Sequence, residues 1–128
     1  MSIDFSFPKK DRLVGEKRIR LIFDKGEKTK DFPFLFYFMP ISNKKKVGVQ
    51  VAFGVSKKTN KLAVVRNKKK RQIKEAFRLK KPFLINKMKK SYAIIIVYLA
   101  EDLKPQELLS KKIKSFFVRL INSSNEVI

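Results

Sequence analysis

Three stretches of the chain have the hydrophobic pattern of β-strands. Residues 32–39 alternate between phenylalanine and other apolar residues, and residues 47–55 carry valine or phenylalanine at every second position. These two patterns predict strands with one face in the core. Residues 92–99 form a continuous run rich in isoleucine, which is typical of a central strand covered on both faces. The polar residues 28–31 fit either a short strand or a turn.

Three further stretches, residues 15–24, 66–78 and 105–122, repeat apolar residues at helical spacing. Gly26 can end the first helix, and Pro105 suits the first position of the last one. Residues 80–91 read as a charged connection broken by Pro82. The apolar positions are Ile19, Ile22 and Phe23 in the first helix, Ile73, Ala76 and Phe77 in the second, and Leu109, Ile113, Phe116, Phe117, Leu120 and Ile121 in the third.

The order of these elements predicts an α+β fold. Helices that alternate with strands and carry one apolar side each are expected to cover a mixed sheet, in a two-layer sandwich. A chain of 128 residues is long enough for one domain. We therefore expect a single domain over residues 1–128, with loose tails at 1–11 and 123–128.

The charge of the chain points to a polyanionic partner. It carries 32 lysines and arginines against 11 acids, a net charge of +21. Fifteen of the basic residues lie between 57 and 90, where Glu75 is the only acid. Hydrophobic residues make up 44% of the chain, so this is a folded protein and not a basic disordered tail. Nucleic acid is the polyanion that such a distribution fits best.

The basic residues of 66–78 also share one side of the predicted helix. On a helical projection, Asn67, Lys70, Arg71, Lys74 and Arg78 fall within an arc of about 100°, beside the apolar arc. A helix of this length spans about 18 Å, which is enough to follow several phosphates. The alternative interpretation is a solvated helix face in a lysine-rich protein.

The residue types that are absent limit the chemistry of the polypeptide. The chain has no cysteine and no histidine, so thiolate metal sites and the commonest general base are excluded. Its acids are scattered, and we expect neither catalytic residues nor a protein-held metal nor a small-molecule substrate. The chain opens without the pattern of a signal peptide, and its longest apolar run, residues 93–100, is too short for a membrane span. These features predict a cytoplasmic protein with no membrane partner.

Two linked motifs resemble the protein subunit of bacterial ribonuclease P. They read Phe53-Gly-Val-Ser-Lys-Lys and Ala63-Val-Val-Arg-Asn-Lys-Lys-Lys-Arg-Gln-Ile-Lys-Glu-Ala-Phe77. The similarity extends from Arg12 to Leu120. It implies the order αβββαβα, a four-stranded sheet and a left-handed βαβ crossover around the basic helix. It also implies a ribonucleoprotein endonuclease: a catalytic RNA subunit, holding most of the Mg²⁺, removes the 5′ leader of precursor tRNA.

The resemblance also implies roles for individual residues. The single-stranded leader would lie in a groove between the basic helix and an open sheet face, stacked on Phe23 and Tyr37. For Phe23, plain core packing is the alternative. The small residues at alternate positions of 48–54 leave that face open, or another element covers it closely. The RNA-binding candidates are Lys57, Lys58, Arg66, Asn67, Lys68, Lys70, Arg71, Lys74 and Arg78.

The sequence departs from the family pattern at three points. Lys68 stands where the family has an arginine, which keeps the charge but loses the bidentate fork. Ile19 stands where the family often has a phenylalanine, and the loop at 59–63 is one residue longer. The rival interpretations are a ribosomal or other structural RNA-binding protein, a DNA-binding regulator and a metal nuclease. The sequence lacks the helix-turn-helix pattern that a DNA-binding regulator would need and the acidic cluster that a metal nuclease would need.

Overall fold

The computed structural model describes residues 16–41, 48–55 and 60–124, together with the backbone of residues 2–4. Three helices and five strands follow one another along these residues. In chain order they are β1 (Ser2–Asp4), α1 (Glu16–Lys25), β2 (Glu27–Asp31), β3 (Phe34–Ile41), β4 (Val49–Val55), α2 (Ala63–Lys87), β5 (Ser91–Tyr98) and α3 (Gln106–Ser124).

The strands form one mixed sheet in the order β1-β4-β5-β3-β2. β4 and β5 pair in parallel, so α2 is the crossover between them, and the other neighbours are antiparallel. The predicted α+β class and the four predicted strands are confirmed. β1 adds a fifth strand at one edge, so the expected loose lead-in contains a paired segment at residues 2–4. The left-handed sense of the crossover remains a prediction from the family resemblance.

The main core lies between one face of the sheet and the helices α2 and α3. β3 points Phe34, Phe36 and Phe38 into it, and all three side chains are buried. The ring of Phe36 stacks on Phe116 of α3 at 4.0 Å between centroids. This layer pair is the predicted sandwich, and it follows from the alternation of β3 and the apolar side of each helix.

A smaller core lies on the opposite face, against α1. Ile22 of α1 is buried there with Ala52, Ala93, Ile95 and Val97 of the sheet. The small residues of β4 therefore do not leave its second face open, because Ala52 is fully buried and Gly54 is buried too. α1 thus adds a partial third layer to the two predicted ones.

The connection between α1 and β2 depends on Gly26. Its amide donates to the Ile22 carbonyl at 2.9 Å, which closes the helix as predicted. A Cβ at this position would lie 2.5 Å from the Ile22 carbonyl oxygen and 3.0 Å from that of Phe38. Glycine is therefore needed where the chain turns closely against β3.

α2 is longer than predicted, because it continues through Pro82 to Lys87. The expected connection at residues 80–91 was wrong over most of its length. Leu84 is fully buried, and Phe83 and Ile85 pack against the same core. This packing keeps the last two turns helical despite the proline, whose cost would end an unsupported helix.

α3 also extends past its predicted end, to Ser124. The Ser124 hydroxyl accepts a hydrogen bond from the Lys89 amide at 3.1 Å and donates one to the Ile121 carbonyl at 3.2 Å. Residues 123 and 124 are therefore helical and not part of a loose tail, while the predictions for residues 5–11 and 125–128 lie outside the described residues.

Candidate nucleic-acid interface

The first half of α2 separates a packed side from a basic side. Ile73, Ala76 and Phe77 are buried beneath the helix, as their spacing predicts. On the outer side Asn67, Lys68, Arg71 and Arg78 are exposed, while Arg66, Lys70 and Lys74 are half-buried at its flank. The structure thus brings these seven predicted RNA-binding residues onto one continuous surface, which we call the α2 basic face.

The start of α2 lies one turn earlier than predicted. The helix begins at Ala63 after Leu62, which provides no side-chain cap, and its first turn contains no acid. A helix that began at residue 66 would leave the amides of Arg66 and Asn67 open to a phosphate. The amide of Arg66 instead donates to the Leu62 carbonyl at 3.2 Å. The positive end of the helix dipole lies instead at residues 63–65.

Arg66 has a structural task besides its charge. Its guanidinium Nη1 donates to the Asn60 carbonyl at 2.8 Å and to the Lys61 carbonyl at 3.0 Å. These bonds fix the entrance of the helix. Part of the donor set of Arg66 is therefore engaged within the chain, and the remaining nitrogen atoms can address a phosphate.

Lys69 differs from its neighbours because its side chain is fully buried. Its ammonium donates to the Asn60 side-chain oxygen, to the Ala100 carbonyl at 2.5 Å and to the Glu101 carbonyl at 2.8 Å. The Nζ atom also lies 4.9 Å from the ring centre of Tyr98. Burial lowers the pKa of Lys69. Its three donors join the start of α2 to the loop after β5.

A second set of hydrogen bonds ties the middle of α2 to the same loop. The Lys104 amide donates to the Tyr98 hydroxyl at 2.9 Å, and that hydroxyl donates to Gln72 Oε1 at 3.2 Å. Gln72 Nε2 donates back to the Lys104 carbonyl at 2.8 Å. Burial raises the pKa of Tyr98 above its ordinary value. The orientation of the α2 basic face is therefore set by buried polar contacts as well as by the core.

Glu75 is the one acid within the basic stretch, and it is paired. Arg78 Nη2 lies 2.7 Å from Glu75 Oε1, with both side chains largely exposed. The hydrogen bond from Arg78 lowers the pKa of Glu75. An exposed pair of this kind contributes little to stability, but it leaves Arg78 less available to a phosphate than Arg71 or Lys68.

The two predicted stacking residues meet on the other face of the sheet. The rings of Phe23 and Tyr37 are 4.7 Å apart and nearly perpendicular, and both are half-buried. Lys28 places its Nζ 5.9 Å from the Tyr37 ring centre. Phe23 packs against the smaller core, so core packing describes part of its role.

The prediction that the basic helix borders the groove beside these rings is therefore wrong. Ile73 and Phe77 hold α2 on the face that carries Phe36, whereas Tyr37 points to the opposite face by strand alternation. Phe23 belongs to α1, so the helix beside Tyr37 is α1. Any RNA strand stacked on these rings lies along α1, and the α2 basic face lies across the sheet from it.

Two of the predicted residues, Lys57 and Lys58, lie outside the described residues. Within the described part of the chain, no three carboxylates stand close enough together to hold a metal ion. The same residues include no helix that is both long and apolar enough to cross a membrane.

The family model for ribonuclease P matches residues 7–120 of this chain. The chain belongs to the ribonuclease P family. It is 30% identical to the ribonuclease P protein component of Dictyoglomus thermophilum, over 91% of this chain and 89% of that protein. The similarity recognised in the two sequence motifs is thereby confirmed.

Solved ribonuclease P proteins share the fold. The protein from Staphylococcus aureus superposes with a TM-score of 0.64 at 24% identity, covering 95% of this chain and 97% of that one. The protein from Thermotoga maritima gives a TM-score of 0.53 at 24% identity, over 91% and 100% of the two chains. At these identities the likeness concerns the fold alone.

Sequence reasoning missed Lys69 as a structural residue in this ribonuclease P protein. The signal was present, because Lys69 lies four and seven positions before Ile73 and Ala76, inside the apolar arc. Because Lys69 is charged, it was not counted among the packed residues of the helix. A lysine at a position that faces the core needs hydrogen-bond acceptors for its ammonium group inside the fold.

Proposed function

We propose that the chain binds the catalytic RNA of ribonuclease P through the α2 basic face and supports removal of the 5′ leader from precursor tRNA. The observation that carries this proposal is the arrangement of α2 in a member of the family. Its apolar side is buried, and its outer side presents Asn67, Lys68 and Arg71 with Glu75 as the only nearby acid of the helix. Such a face can follow an RNA backbone without disturbing the core.

The Phe23–Tyr37 pair supports a second contact, with the single-stranded leader. Half-buried rings held by the core present fixed edges and faces on which unpaired bases can stack, at about 1–3 kcal/mol per base. Lys28 places a positive charge beside Tyr37 for the accompanying phosphates. The leader would thus run along α1, across the sheet from the RNA-binding helix.

In the proposed division of work, the RNA carries the hydrolytic chemistry. Magnesium ions would bind mainly to the RNA phosphates, because the described carboxylates are dispersed and form no ligand cluster. The protein contributes positive charge that offsets the repulsion between the catalytic RNA and its substrate. No step of the hydrolysis is assigned to a protein side chain.

Salt-dependent binding tests the role of α2. Lys68→Ala/Arg71→Ala removes two exposed charges from the α2 basic face, and Lys17→Ala/Lys25→Ala removes two exposed charges from α1 as a control. Binding to ribonuclease P RNA would be measured from low to physiological salt. Each phosphate that is no longer contacted should lower the log–log slope by roughly 0.7–0.9, so the α2 variant should have a flatter dependence than the control.

The outcomes separate the proposal from a solvated helix face. If the folded α2 variant keeps the wild-type slope, these charges do not contact RNA. A structured RNA of equal length and unrelated sequence serves as the competitor. Equal affinity of the wild type for both RNAs would contradict recognition of the ribonuclease P RNA and favour a general RNA-binding protein.

A further inference from the structure

A second basic surface lies in the groove between the C-terminal half of α2 and α3. Its centre is the half-buried ring of Phe83, which packs against the main core. Lys87 of α2 places its Nζ 5.3 Å from the ring centre, and Lys114 of α3 places its Nζ 5.8 Å away. Two ammonium groups from different helices therefore meet at one ring. We call Phe83, Lys87 and Lys114 the Phe83 surface.

The Phe83 surface is not neutralised by carboxylates of its own helices. α2 contains no acid after Glu75, and α3 contains none after Glu107. Glu107 lies two turns before Lys114, about 10 Å along the helix axis, and the exposed Lys111 stands between them on the same side of α3. The attraction between an ammonium group and a ring is weak at an exposed site. It positions the two charges but does not cancel them.

Two like charges held together, with no acid of α2 or α3 beside them, favour a polyanion in the groove. The core needs Phe83 as an apolar residue, but Lys87 and Lys114 are both exposed and are not part of it. A phosphate backbone placed over the ring would be contacted by both ammonium groups at once, and its charge would offset their repulsion.

The position of this surface decides which RNA it fits. It lies on the α2–α3 side of the sheet, whereas the Phe23–Tyr37 pair lies on the other side. Along α2, Lys87 is about 14 Å from Arg78, the nearest residue of the α2 basic face, which is beyond the Debye length of about 8 Å at physiological salt. The groove is therefore electrostatically separate from the α2 basic face and remote from the leader path.

We propose that the Phe83 surface is a second binding site for the phosphate backbone of the catalytic RNA, distinct from the α2 basic face. This inference rests on the proposed function, because it presumes the same RNA partner. Two sites separated by this distance should contribute nearly additively to the salt dependence of binding.

The test is Lys87→Gln/Lys114→Gln, which removes both charges and keeps much of the side-chain length. Lys17→Gln/Lys25→Gln is the matched control. Binding to ribonuclease P RNA is measured without substrate, as a function of salt. Because the variant cannot neutralise two phosphates, the slope should fall by roughly 0.7–0.9 for each, and affinity at physiological salt by roughly tenfold or more. Combining this change with Lys68→Ala/Arg71→Ala should lower the slope by the sum of the two separate decreases.

Each result supports or overturns the inference. Circular dichroism should show the wild-type fold and melting temperature, since both lysines are exposed. If Lys87→Gln/Lys114→Gln has the same salt slope and affinity as the control, the second site is overturned. If only Lys68→Ala/Arg71→Ala then has a lower slope, the proposed function still holds. A decrease confined to precursor tRNA binding by the assembled enzyme contradicts the catalytic RNA as the partner. If the wild type does not bind the RNA at all, the proposed function itself fails.

Discussion

Adjacent lysines of α2 have opposite roles, which single substitutions can separate. Lys68 is exposed, whereas Lys69 is buried and donates to three acceptors near the start of the helix. Lys69→Met should destabilise the fold by roughly 1–3 kcal/mol, because buried acceptors lose their donor. Lys68→Ala should leave stability almost unchanged and weaken RNA binding.

Denaturant unfolding and RNA titration of the two variants check this expectation. The wild-type protein and Lys17→Ala define the ranges for stability and affinity. If Lys69→Met is as stable as Lys68→Ala, the buried contacts of Lys69 do not secure the helix, and its ammonium is better explained as another RNA contact.

Tyr37 offers a residue-scale test of the leader path. Tyr37→Ala removes a half-buried ring on the face opposite the main core, so the fold should survive. The assembled enzyme should lose about 1–3 kcal/mol of affinity for precursor tRNA, the value of one stacked base. Mature tRNA and a precursor with a one-nucleotide leader should bind like wild type, because they offer no strand to stack.

Two controls accompany Tyr37→Ala. Tyr37→Phe keeps the ring and should bind the long-leader precursor nearly as wild type does. Leu35→Ala removes a half-buried apolar side chain from the same face of β3, without a ring. Equal losses for long-leader, short-leader and mature tRNA would identify Tyr37 as a packing residue and exclude stacking.

At the scale of elements, periodicity predicted the strands and the packed sides of the helices. The alternation of β3 placed Phe34, Phe36 and Phe38 correctly in the core, and the spacing of Ile73 and Phe77 gave the buried side of α2. What local patterns could not give was α2 beyond Pro82. There the packing of Leu84 against the core maintains the helix. This tertiary contact cannot be read from the local sequence, in which Pro82 predicts the end of a helix.

Pro82 therefore provides a test of α2 as the structure shows it. Pro82 is exposed within the helix and has no amide hydrogen, so it cannot donate the hydrogen bond that the Arg78 carbonyl would accept in a regular helix. Pro82→Ala restores that donor and should stabilise the protein by about 1–2 kcal/mol, since the helix penalty of about 3 kcal/mol is partly offset by greater chain entropy in the unfolded state.

Thermal unfolding of Pro82→Ala measures this gain. Pro105→Ala is the control, because Pro105 precedes α3 and its ring interrupts no helical hydrogen bond. The control should be unchanged or slightly less stable. A melting temperature of Pro82→Ala below that of the wild type would contradict a continuous helix through residue 82.

At the scale of the molecule, the sheet separates the two surfaces that are proposed to bind RNA. α2 and α3 cover one face, while α1 and the Phe23–Tyr37 pair lie on the other. The sequence allowed the α+β class to be predicted, but it misplaced the leader groove against α2, and the RNA-binding roles of the residues on both surfaces stay predictions. Which face a crossover helix covers depends on the order of the strands and on the handedness of the crossover, and β3 lies beside β5 through pairings far apart in the chain. Local periodicity carries no information about such pairings or about the handedness of the crossover.

The central claim is that this strongly basic chain acts with a catalytic RNA and performs no hydrolysis itself. The most direct measurement is cleavage of precursor tRNA at low magnesium by the protein alone, by ribonuclease P RNA alone and by the two together. We predict accurate removal of the 5′ leader only when both are present, because the +21 charge offsets the repulsion between the RNAs. Accurate cleavage by RNA-free protein, or no gain when the protein joins the RNA, would contradict it.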